Sequence, residues 1–214
     1  LAAVHSYGRD RDSIWNGLQR KETYGTSGDR ILLWFDLVSE GSVKPMGESV
    51  ETSQNPTFKV KAVGAFKQKP GCPDYSSTNI TDKEIERICK NECYNPSDER
   101  KLISRIEVIK VTPQTYKGED LNTLITDPWK VFTCQPNEQG CEIEFSDDKY
   151  SEGTRDAVYY VRAIQEASPT VNAGNLRCTY NENGECTKVN ICYGDNRTSK
   201  DDDCLVLSEE RAWS

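Results

Sequence analysis

The chain has 214 residues, 27 Lys and Arg against 35 Asp and Glu, a formal net charge of -8 and a mean hydropathy of -0.75. That balance excludes the basic stripe of a nucleic-acid footprint, and no apolar run approaches the ~20 residues that span a bilayer. The length fits one generous domain or one and a half small ones, and an aromatic content of 9% argues against disorder. These values predict a loop-rich domain with polar excursions around a modest core.

In chain order, residues 1–4 read as a short apolar strand. Asp10 or Asp12 caps the helix that follows, whose Ile14, Trp15 and Leu18 share one face. Arg20 and Lys21 suit a helix C-terminus, where cations meet the negative end of the dipole. "GTSGD" is turn chemistry, and "RILLWFDLV" predicts a strand buried on both faces. Residues 39–56 read as loop. "TFKVKAVGAF" alternates, with Phe58, Val60, Ala62 and Phe66 on one side and Lys59 and Lys61 on the other, as a half-buried strand does.

A cysteine-bearing insertion comes next. Thr81 and Glu84 match a capping box opening a helix with Ile85, Ile88 and Cys89 at helical spacing. "YNPSDER" reads as a turn. "LISRIEVIKVT", "WKVFTC", "CEIEF" and "DAVYYVRAIQ" then supply further strands. Strands joined by long loops rather than by regular helices predict a mainly β chain with an antiparallel, sandwich-like domain.

The nine cysteines stand at 72, 89, 93, 134, 141, 178, 186, 192 and 204. Their gaps lack the paired knuckles of structural zinc sites, and the single histidine is His5. Cys-x-x-Cys, the redox signature, is also absent. Three local pairs close short polar loops: Cys134 with Cys141, Cys178 with Cys186, and Cys192 with Cys204. Each bridge is worth about 2–3 kcal/mol on the chain-entropy model. Cys72, Cys89 and Cys93 form an odd trio, of which one is free or pairs outside the chain. Bridges in this number imply an exported protein, periplasmic or extracellular.

The segments "RDRDSIWNGLQRKETYGTSGDRILLWFDL", "CKNECYNPSDERKLISRIEVIKVTPQ", "DPWKVFTC", "RDAVYYVRAIQE", "PTVNAGNLRC" and "EERAWS" resemble, in order, the C-terminal portion of bacterial proteins grouped as domain of unknown function 3604. Those proteins are similar to the polymerase-and-histidinol-phosphatase superfamily of metal-dependent hydrolases, built on a distorted β/α barrel. That superfamily holds its metals with His-x-His, further histidines and carboxylates, and a late Asp-x-His. None of these motifs occurs here, so the resemblance implies that they lie upstream of Leu1. Residues 1–29 then correspond to the last strand and helix of a barrel, and residues 30–214 to an appended, disulfide-stapled β domain. The implied partner is the upstream barrel of the same polypeptide, which would carry the divalent metal; the substrate stays unknown.

Within the chain, His5 follows an apolar strand, and catalytic groups gather at the C-terminal ends of barrel strands; a polar residue closing a strand is the alternative. Arg30, just past the turn, is a candidate for an anionic substrate, with a solvated arginine as the alternative. Ser27 lies in "GTSG", which lacks the spacing of a nucleophile elbow, and reads as a turn hydroxyl. Asp195, Asn196, Asp201, Asp202 and Asp203 crowd one cysteine-flanked loop whose oxygens suit Ca²⁺, although acidic runs are commonly solvated faces. The acidic stretch 146–152 reads the same way more weakly. Asn79 and Asn196 begin glycosylation sequons. Three classes of function follow: the C-terminal part of a metal-dependent hydrolase, an accessory or binding module presenting Trp34, Trp129, Tyr159 and Tyr160, or a structural component of an extracellular assembly.

Overall fold

The computed structural model describes residues 1–39, 41–89, 93–171, 177–190 and 205–214. Two compact units divide the chain. The first comprises Leu1–Ala65, Arg100–Glu166 and Glu210–Ser214, and the second Phe66–Glu99 and Ala167–Glu209.

The first unit opens with β1 (Ala2–Val4), α1 (Arg11–Gln19), β2 (Thr23–Thr26), β3 (Leu32–Ser39), β4 (Ser42–Pro45) and β5 (Thr57–Val63). After the first excursion of the chain come β6 (Phe66–Pro70), α2 (Asp74–Ser77), α3 (Asp82–Cys89) and β7 (Tyr94–Arg100). Then follow β8 (Ile103–Val111), β9 (Ile125–Thr133), β10 (Cys141–Ser146) and β11 (Val158–Val171), and finally β12 (Arg177–Tyr180), β13 (Cys186–Asn190) and β14 (Leu205–Trp213). Six strands pair in the order β1-β2-β14-β11-β8-β9, and four in the order β10-β5-β3-β4. The registered pairs in both sheets are antiparallel. The chain is mainly β, as its alternating segments predict.

Period-2 patterning explains the core between these sheets. Leu33 and Phe35 of β3, Phe58, Val60 and Ala62 of β5, and Phe145 of β10 are buried, as are Ile106 and Val108 of β8 and Val161 and Ala163 of β11. All belong to one cluster. Phe58 and Tyr159 meet across it with ring centroids 4.6 Å apart, the antiparallel sandwich arrangement.

Several local expectations are corrected. β3 is not buried on both faces: Leu33 and Phe35 point inward while Leu32 and Trp34 are half-buried. Gly25 and the turn-rich "GTSG" masked β2, which pairs with β1 through Ala3 and Tyr24. "YNPSDER" is a strand, paired among the described residues with β6 alone, and proline is tolerated on such an edge strand. Phe66 is 39% exposed, because the buried alternation of β5 ends at Val63.

Asp10 caps α1, as predicted, accepting from the Ser13 N–H at 2.9 Å and the Ser13 hydroxyl at 2.6 Å. The apolar face does not become the buried face. Gly17 is the buried residue of this helix, while Trp15 is 58% and Leu18 46% exposed. A Cβ on Gly17 would stand 2.5 Å from the His5 carbonyl oxygen, so the glycine lets the helix backbone lie against the end of β1.

In the second unit no described side chain is buried, and the Cys72–Cys93 bridge joins the ends of its β6–β7 pair. A unit whose described side chains are all exposed or half-exposed depends on such cross-links. The double change Cys72→Ser with Cys93→Ser is therefore expected to cost about 3 kcal/mol locally on the chain-entropy model. Hydrogen exchange should accelerate in β6 and β7, with β3, β5 and β8 still protected; equal acceleration everywhere would refute a local role.

Candidate functional site

His5 follows β1 directly. Its N–H donates to the Glu22 carbonyl at 2.9 Å, and its ring Nε2 lies 2.8 Å from the Leu33 carbonyl oxygen. A carbonyl can only accept, so Nε2 carries the proton of this hydrogen bond. Tyr24 and Trp34 flank the imidazole at centroid distances of 5.4 and 5.7 Å. Asp36, two residues beyond Trp34 on β3, feels the same corner. Burial raises its carboxyl above the ordinary carboxylate value; the charges of His5 and Lys59 oppose that rise, and Glu22 adds to it. A carboxyl raised by burial in the same corner as the chain's single histidine is the kind of pairing that acid–base sites use.

The raised value carries a sign. Asp36 is easier to protonate folded than unfolded, so its contribution to stability is present below the unfolded value of about 3.9 and is lost as pH rises. Asp36→Asn should accordingly raise the melting temperature at pH 7, with the gain over the wild-type chain vanishing near pH 3. A gain that stays constant with pH would remove the electrostatic explanation.

Arg30 is exposed and forms no hydrogen bond or ion pair among the described residues. Ser27 is a connector: its hydroxyl donates to Glu210 and accepts from the Arg211 N–H at 2.9 Å. The Asp29 Oδ2 next to it accepts from Lys101 at 2.6 Å and from the buried Gln165 amide at 2.5 Å.

A second polar centre lies among aromatic rings in the same unit. Asp147, 2% exposed, accepts from Lys110 and, at 2.5 Å, from the Tyr159 hydroxyl. Burial resists its ionisation, but the Lys110 and Tyr159 hydrogen bonds outweigh burial and leave the carboxyl below its ordinary range. The same burial and the neighbouring carboxylate push the Tyr159 hydroxyl well above the usual phenol value. Lys110 lies 5.4 Å from the Trp129 ring centroid and Lys130 4.7 Å from it. A cleft of about 260 Å³ beside them is lined by Lys110, Lys149, Tyr150 and Arg155. Arg155 is already paired with Glu119 at 2.6 Å.

The acidic stretch 146–152 thus directs one carboxylate inward, onto the Lys110 ammonium group. Trp129 and Tyr159 pack on the core, and Trp34 and Tyr160 are half-buried. Cys134–Cys141 is bridged as predicted. The odd trio resolves into Cys72–Cys93 and a free Cys89, and Cys186 is disulfide-bonded. The expected Cys178–Cys186 and Cys192–Cys204 pairings involve side chains outside the described ones, and so does the candidate calcium loop of Asp195, Asp201, Asp202 and Asp203. Asn79 is exposed. Asp36, Lys110 and Gln165 were missed in the sequence, where a polar residue inside an otherwise apolar strand was the available signal; Asp147 and Tyr159 were named only within the acidic stretch and the aromatic set.

No described helix is long and apolar enough to cross a membrane. No curated protein and no solved structure matches the chain. Residues 1–40 match the family model described as "Protein of unknown function (DUF3604)", and the run β1–α1–β2–β3 within that match carries His5, Tyr24, Trp34 and Asp36.

Proposed function

We infer that this chain is the β portion of an exported metal-dependent hydrolase whose catalytic ions are held by residues outside the sequence, on a β/α barrel that the 1–29 unit completes. One observation carries this reading. Ile14, Trp15 and Leu18 of α1 are 37%, 58% and 46% exposed, and this unburied apolar face belongs to the segment matching the family model. Exposed apolar faces of this kind are interaction surfaces, and a barrel packed there would cover it. The bridges support export.

The residues present do not fit a catalytic metal set. The single histidine has one ring nitrogen committed to the Leu33 carbonyl. Among the described residues, the three ligand-bearing side chains close enough to share an ion are Cys72, Cys89 and Cys93, two of which are already joined. No step through a metal is therefore assigned to this chain. A metal held by the barrel would activate water for ester hydrolysis. The part left to these residues is positional: His5 and Asp36 would border the site.

The test pairs composition with chemistry. Intact mass and N-terminal sequencing of native material should show further chain upstream of Leu1, and residues 1–214 alone should neither hold stoichiometric zinc or manganese nor hydrolyse a model phosphate ester. In the longer protein, Trp15→Ser with Leu18→Ser should cost about 2–3 kcal/mol, against less than about 0.5 kcal/mol in residues 1–214 alone. Metal and hydrolysis in the isolated chain would overturn the reading.

A further inference from the structure

Cys89 ends α3 as a free thiol, and its sulfur lies within 4.8 Å of those of Cys72 and Cys93, which are bonded to each other. We propose that these three residues form a thiol–disulfide exchange centre, in which Cys89 and the Cys72–Cys93 bridge interconvert within the folded chain.

The chemistry is balanced without a co-reactant. The Cys89 thiolate attacks one sulfur of the bridge, the new S–S bond forms as the old one breaks, and the departing sulfur leaves as a thiolate that takes a proton from solvent. The number of disulfides and thiols is unchanged. Attack on Cys93 gives Cys89–Cys93 and frees Cys72; attack on Cys72 gives Cys72–Cys89 and frees Cys93.

Three features support exchange over a merely buried spare thiol. All three sulfurs belong to half-exposed residues, so solvent and small thiols reach them. The described side chains of their unit include no buried one, so moving a bridge does not disturb a packed core there. The residues that hold the resting bridge are backbone neighbours: the Gly71 N–H donates to the Cys93 carbonyl at 2.8 Å, and the Asn95 amide donates to the Gly71 carbonyl at 2.7 Å. The resting bridge closes the longest loop of the three alternatives, the arrangement that constrains the unfolded chain most. Exchange therefore shifts the free thiol from the helix end to the strand end and loosens the β6–β7 pair. A second thiol protein or a low-molecular-weight thiol would read that difference.

Two measurements test this. The intact protein is held at pH 8.5, quenched in acid, alkylated under denaturing conditions and mapped by peptide. Label should appear on Cys89 and also, at about a tenth or more of the total, on Cys72 or Cys93, with the matching bridge to Cys89 recovered. Label on Cys89 alone, with Cys72–Cys93 the sole bridge of the trio, would overturn the proposal. Cys93→Ser provides the second readout. A Cys72–Cys89 bridge should form in the oxidised protein, whereas two free thiols at those positions would count against exchange even if the wild-type map were ambiguous.

Discussion

Asp147→Ala is expected to lower the unfolding free energy by about 3 kcal/mol, near the lower end for breaking a buried ion pair. The carboxylate side chain is 3% exposed and that of Lys110 23%, so removing Asp147 strands a half-buried ammonium group and leaves the Tyr159 hydroxyl without its acceptor. Partial access of Lys110 to water keeps the loss from being larger. Adding Lys110→Met to Asp147→Ala should restore most of the lost stability, because an apolar replacement of both partners removes the unpaired charge. Urea midpoints decide the matter: losses that simply add in the double variant would show that the pair is not coupled. The same group sets a pH window. The depressed Asp147 value gives stability that is present above the unfolded value of about 3.9 and lost as pH falls below it. The raised Tyr159 value gives stability present below the unfolded value of about 10 and lost as pH climbs past it.

Gly64→Ala is the second large effect. An added Cβ would stand 1.9 Å from the carbonyl oxygen of Lys101, a backbone atom that cannot swing away as a side-chain tip can. The Lys101 N–H is bonded to the Ala65 carbonyl at 2.9 Å, the Ala65 N–H to Gln165 Oε1 at 2.9 Å, and Arg100 to the Gly64 carbonyl at 2.7 Å. Relief of the clash must pull on all three. We expect a loss of about 3 kcal/mol, at the upper end for overpacking, measured as a lower melting temperature. A shift under about 1 °C in the purified variant would mean that the backbone here yields freely.

What the sequence disclosed, it disclosed through periodicity. Phe58, Val60 and Ala62 against Lys59 and Lys61 specify which face of β5 is buried, and Asp10 with Ser13 specifies where α1 begins. Where local chemistry competes with long-range pairing, the reading fails. "GTSG" and "YNPSDER" carry turn residues that partner strands hold extended, and nothing in a local window announces those partners. Ile14, Trp15 and Leu18 show the reverse case, an apolar stripe without a buried surface beneath it. The candidate site was legible only as His5. Asp36 and Asp147 owe their shifted ionisation to burial and to charges contributed by distant segments, and such neighbours emerge only from the fold.

The hydrogen bonds that bring Lys101 back to Ala65 at 2.9 Å and Glu166 to Leu102 at 2.8 Å have a consequence for how this chain can change over time. Within the first unit the backbone is bonded to itself where the chain leaves after Ala65 and returns at Arg100, so Phe66–Glu99 is an excursion from a unit already closed at that point. Doubling the length of such a detour costs only about 0.6 kcal/mol of closure entropy. A change in the length of that excursion is therefore expected to cost the first unit little, as long as the contacts of Gly64, Gln165 and Asp29 at its base are kept.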